Sequence, residues 1–124
     1  MNKFFNWKIS LISIISFGII TFIINLNGNI FLTSFAALKE MLFRFFWGGF
    51  MGRLLQRISD EYKGINTYIL GGIIPSILAF IITLVIHYFT LTPYPLKTVG
   101  INTILTFFSG LIDIFLFRRG ILRV

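Results

Sequence analysis

Four apolar stretches, with flanking cations that fall almost entirely on one side once the chain is threaded through a bilayer, constrain this sequence more than any other feature. The stretches cover about residues 9–25, 30–52, 67–89 and 98–117. A helical crossing of the hydrocarbon core needs ~20 mostly apolar residues. Neither Ile9–Leu38 nor Gly64–Leu96 contains a single Asp, Glu, Lys or Arg. With 56% hydrophobic and 12% charged residues in 124, the chain is too apolar for a soluble fold of this length. The expected fold class is all-α integral membrane, one domain over residues 1–124. Short connections favour antiparallel neighbours, hence four transmembrane helices in an up-down bundle.

Charge decides the expected orientation. With an inside N-terminus and four spans, Lys3, Lys8, Arg53, Arg57, Lys63, Arg118, Arg119 and Arg123 lie inside, and only Lys97 lies outside. Cytoplasmic loops carry the excess of Lys and Arg, so both termini are expected inside. That bias argues against dual-topology insertion. The net charge of +7 is then matched to anionic lipid headgroups rather than to nucleic acid. No basic cluster with interleaved aromatics lies outside the apolar stretches, as a nucleic-acid surface would need. The expected partners are the lipid bilayer and a homo-oligomer or larger membrane complex, with no nucleic acid.

The first stretch imitates a secretion signal, a short basic start followed by an apolar run. It is long for a signal, and the small residues near Ser34–Ala36 lie too far on for cleavage. It reads as a retained span with Trp7 as an inner interfacial anchor. Cysteine is absent, which excludes disulfides and thiolate metal sites. The Ile- and Phe-rich, Asn-containing style suits an AT-rich bacterial genome, and the expected location is the bacterial cytoplasmic membrane.

The second stretch is the one in question, because Lys39, Glu40 and Arg44 sit well inside it. Central charges cost ~3 kcal/mol each on insertion scales, about 8 kcal/mol together, against about 5 kcal/mol from its apolar residues. Laid flat at the interface, it would leave three spans and move Arg53, Arg57, Lys63 and the basic tail outside, reversing the charge bias. A spanning helix with its charges paired or turned inward is the expectation.

Several polar residues inside the stretches are candidates for chemistry. Glu40 and Arg44 stand four apart and share a helix face, so they can pair. Lys39 points about 100° away and is expected to snorkel outward. Asp113, the only acid of the fourth stretch, is expected to pair with Arg118 or a neighbouring helix. Asn102, Thr106, Ser109 and Asp113 follow 4, 3, 4 spacing and form one polar stripe. Two readings stand: structural pairing and helix-to-helix hydrogen bonds, or an ion or proton pathway.

The remaining features concern packing. Ser34, Ala37, Gly48 and Gly52 cluster on one face and include a GxxxG spacing, suited either to packing within the bundle or to an oligomer contact. Pro75 removes a donor and frees the carbonyl of Gly71, which predicts a kink. His87 reads as part of an outer aromatic belt with Tyr88 and Tyr94. A metal site would need partners for it, and Glu40 and Asp113 are expected at other depths. No phosphate loop, nucleophile set or cofactor motif is present. The expected function is a small non-enzymatic accessory or assembly subunit without cofactor. The alternative is a small oligomeric transporter or channel using the polar residues of the second and fourth spans.

Overall fold

The computed structural model describes residues 3–124, and it is all-helical. Helices α1 (Trp7–Ile24), α2 (Ile30–Glu61), α3 (Asn66–Tyr88) and α4 (Pro95–Arg118) follow one another with short connections. Three of them, α1, α3 and α4, are long and apolar enough to cross a membrane, the pattern of a small helical membrane protein. Helix α2 is longer, at 32 residues, but its charges make it less clearly apolar. It runs to Glu61, past the end of the apolar stretch at about residue 52. Pro95 opens α4 at its first turn, where a missing N–H costs nothing.

Helix ends are fixed by asparagine. Asn6 caps α1 by accepting from the backbone N–H groups of Lys8 and Ile9, and Asn29 caps α2 by accepting from Phe31 and Leu32. A side-chain oxygen here satisfies donors that have no intrahelical partner.

Packing is inverted relative to a water-soluble domain. Large apolar side chains point outward, with Phe31 at 81% exposure, while Thr21, Thr33, Thr83, Thr98 and Asn102 are buried. In lipid there is no hydrophobic drive to hide Phe or Ile, so close backbone approach and buried hydrogen bonds hold the helices together. Two tightly packed pairs result, α1 with α2 and α3 with α4. Gly48 lies against Ser10 and Ser13, and Gly52 against Ile9. Between α3 and α4, Gly71 and Gly72 meet Gly110, Phe107 and Ile114. A small apolar core of Ile9, Leu55, Ile114 and Phe117 joins the pairs near one end.

Buried amides tie the ends. Asn25, fully buried, donates to the Thr21 carbonyl and to Thr98 Oγ1 (2.9 Å), and accepts from the Tyr94 backbone N–H at 2.9 Å. At the opposite end of α1, Asn6 donates to Gln56 Oε1 and to the Leu122 carbonyl. Residues after α4 turn back through Gly120 (φ 74°) and Leu122 (φ 61°), so that Lys8 reaches the Arg123 carbonyl and Gln56 the Val124 carbonyl. Asn25→Ala leaves the Tyr94 amide without its acceptor and removes the donor to Thr98, while Thr98 keeps the Tyr94 carbonyl and the Thr21 carbonyl keeps the backbone N–H of residue 25. It is expected to cost about 2–3 kcal/mol, read as a lowered unfolding midpoint in detergent.

Candidate functional site: a buried ionisable chain

Glu40 and Arg44 share a face of α2 as their spacing requires. Arg44 Nε donates to Glu40 Oε1 at 2.8 Å, and both side chains are buried. The second carboxylate oxygen, Oε2, lies 2.7 Å from His87 Nε2 at the far end of α3. This corrects two expectations. His87 is fully buried rather than part of an outer belt, and Glu40 lies at its depth rather than at another. The connection spans 47 residues of sequence, so no local spacing reports it.

The chain continues outward. His87 Nδ1 lies 2.8 Å from Thr92 Oγ1, and Lys39 Nζ donates to Thr92 Oγ1 at 3.0 Å and also to Thr90. Lys39 therefore leans on the α3–α4 connection, with its ammonium over the Phe35 ring, instead of snorkelling alone. Donor roles follow from the inventory of groups. An ionised Glu40 can only accept, so His87 Nε2 carries hydrogen. With the ring neutral, Nδ1 then accepts the Thr92 hydroxyl, while Thr92 oxygen accepts from Lys39. Every hydrogen-bonding role from Lys39 to Glu40 is filled without conflict.

Inward, the chain ends at Arg44. Its guanidinium stacks 3.7 Å from the Phe17 ring centroid and 5.0 Å from that of Phe43. Its Nη2 is buried without a hydrogen-bond partner among the described residues. Arg44 lines a cavity of about 20 Å³ together with Ser13, Thr106, Ser109 and Asp113. That volume holds about one water molecule. Three of the four stripe residues thus face the same cavity as Arg44. The fourth, Asn102, donates instead to Thr21 Oγ1 at 3.0 Å, and Thr106 also bonds back to the Asn102 carbonyl.

Asp113 departs from its expected pairing. Arg118 donates to the carbonyls of Tyr62 and Gly64, and Asp113 makes no hydrogen bond or ion pair among the described residues. The reason is angular: five residues along a helix turn about 140°, so Asp113 and Arg118 leave α4 on different sides.

The packing candidates divide. Ala37, Gly48 and Gly52 are buried, the two glycines directly against α1, while Ser34 faces outward. The freed carbonyl of Gly71 faces Gly110, α3 continues through Pro75, and Ser76 bonds to the Ile73 carbonyl. Among the described residues no three His, Asp or Glu side chains come together as a metal site would need. Comparison with known proteins finds no matching family model, curated protein or solved structure.

Proposed function

We propose that this chain is a small non-enzymatic transporter-type membrane protein in which protons move along the buried chain Lys39–Thr92–His87–Glu40, past the fixed charge of Arg44, and through the cavity to Asp113. In this reading α2 crosses the bilayer with the other three helices, up and down, both termini on the cytoplasmic side of a bacterial inner membrane. The cation bias along the sequence supports that orientation. The partnering of Glu40 and Arg44 within the protein supports the crossing of α2, since an unpaired charge in lipid is far more costly.

One observation carries the proposal: the polar groups form an unbroken run from the α3–α4 connection to the cavity. Lys39 and His87 both meet Thr92 Oγ1, His87 Nε2 lies 2.7 Å from Glu40, Glu40 holds Arg44, and Arg44 shares the cavity with Asp113. Glu40 and Asp113 bring two formal negative charges, and Arg44 and Lys39 two positive charges. An imidazole and a carboxyl, His87 and Asp113, stand on either side of the Glu40–Arg44 pair, and groups that exchange protons on both sides of a fixed pair are what a relay requires.

The test is proton flux. Vesicles containing the purified protein and an internal pH dye, given an imposed pH step and a potassium–valinomycin potential, are expected to equilibrate faster than protein-free vesicles. His87→Phe and Asp113→Asn are each expected to return the rate to the protein-free value. Equal rates for all three proteins would remove the transport reading and leave the accessory-subunit reading. That second reading draws on the complete hydrogen bonding of Glu40, which gives the charges a structural role without movement.

A further inference from the structure

Asp113 faces two spaces. One is the cavity shared with Arg44. The other is a groove of about 300 Å³ between α1 and α4, which opens on the outer surface of the helices. Its walls are Ile12, Phe17, Ile20, Leu105, Phe108 and Leu116, and its polar groups are Ser13, Ser16, Ser109 and the Asp113 carboxylate. A groove of this volume matches the smaller end of ligand sites, which are mostly apolar with a few polar groups that fix orientation.

The nearby cations are committed elsewhere. Arg44 is held by Glu40 and Phe17 and lines the inner cavity with Asp113 but not the groove, Arg118 is held by the carbonyls of Tyr62 and Gly64, and Arg123 by Asp60 at 2.7 Å. Arg119 lies over the Phe115 ring, and Lys8 donates to the Arg123 carbonyl. No cation stands within ion-pair distance of Asp113 among the described residues. An acid at the base of an apolar groove whose walls carry no cation is complementary to one chemical class. We infer that the α1–α4 groove binds an apolar organic cation, with its charge against Asp113 and its hydrocarbon along Phe17, Leu105 and Phe108. The site is open sideways, so such a ligand would enter from the lipid. This deepens the transport reading by naming a substrate class, and it rests on that reading for its consequence. Binding itself is measured without flux.

The probe is tetraphenylphosphonium, with tetraphenylborate, an anion of nearly the same shape, as control. Binding is measured by equilibrium dialysis to the full chain in zwitterionic-lipid nanodiscs, with empty nanodiscs subtracted. The native chain is expected to bind the phosphonium in preference to the borate. Asp113→Asn, a change of charge with little change of shape, is expected to weaken phosphonium binding by about tenfold or more and to erase the preference. Ser16→Trp fills the groove from its exposed rim and leaves Asp113 in place. It is expected to remove binding of both ions while the helical circular dichroism stays native. Equal phosphonium binding in the native chain and Asp113→Asn overturns the proposal. So does equal uptake of both ions by the native chain, which would make the groove an ordinary seat for a lipid chain. Native phosphonium binding without proton flux would overturn the transport reading alone, whereas flux without phosphonium binding would overturn this one alone.

Discussion

Glu40→Ala is expected to destabilise the protein by about 3–5 kcal/mol, the range for breaking a buried ion pair from one side. Removing the carboxylate leaves Arg44 Nε and His87 Nε2 without acceptors at positions from which water is excluded. Against a total stability of roughly 5–15 kcal/mol, that is a large part of what holds the fold. The contrast is the double variant Glu40→Met with Arg44→Met. Replacing both members of a buried pair with apolar residues is often neutral, so the double variant should recover most of the loss. The remainder is the single orphaned donor of His87, about 1–2 kcal/mol. Equilibrium unfolding in mixed detergent micelles measures both. If Glu40→Ala unfolds within about 1 kcal/mol of the native chain, Glu40 behaves as a solvated surface acid and the buried chain described above does not exist.

Gly110→Ala is expected to cost about 3 kcal/mol or more, beyond the usual range for overpacking. A Cβ at Gly110 would overlap the carbonyl of Gly71, and no side-chain rotation relieves a clash with backbone. The two helices would have to separate, which also loosens Phe107 on Gly72 and Ile114 on Gly71. Gly100, ten residues earlier on the same helix, provides the opposite sign. A Cβ there meets nothing within 4 Å. Gly100→Ala should therefore stabilise by about 0.5–1 kcal/mol, through helix propensity alone. The pair of unfolding midpoints separates close packing from propensity within one helix. Equal effects at both positions would show that α3 and α4 do not meet at Gly71.

How far the sequence carries can be followed residue by residue. The four helical segments were readable because lipid-length apolar runs and Asn-rich breaks are strong, local signals. The Glu40–Arg44 pair was readable because four residues bring side chains to one face. The α4 stripe was readable for the same reason, and three of its four members do reach one cavity. What was not readable depends on tertiary placement. His87 finds Glu40 across 47 residues, and Thr92 joins them from a connection that carries no periodic signal. The glycine face of α2 announced close approach without saying to what; for Gly48 and Gly52 the neighbour is α1 of the same chain. For Asp113 nearness in sequence suggests Arg118, or else a neighbouring helix, but the angle around the helix sends Asp113 and Arg118 to different sides.

The tie between the start of α1 and the residues after α4 bears on the order in which the molecule is completed. Asn6, Lys8 and Gln56 take their acceptors from Leu122, Arg123 and Val124, so this junction stays open until the residues after α4 have been delivered. The α1–α2 and α3–α4 pairs involve neighbours in sequence and can form early, as local contacts do. The Asn6–Leu122 contact spans 116 residues, and the entropy cost of closing so long a loop comes before its reward. During that interval the amide of Asn6 is exposed to whatever else can accept from it, and a second molecule at the same stage offers the same acceptors. A seam between residues so far apart is the kind of contact whose exchange between copies carries a domain swap.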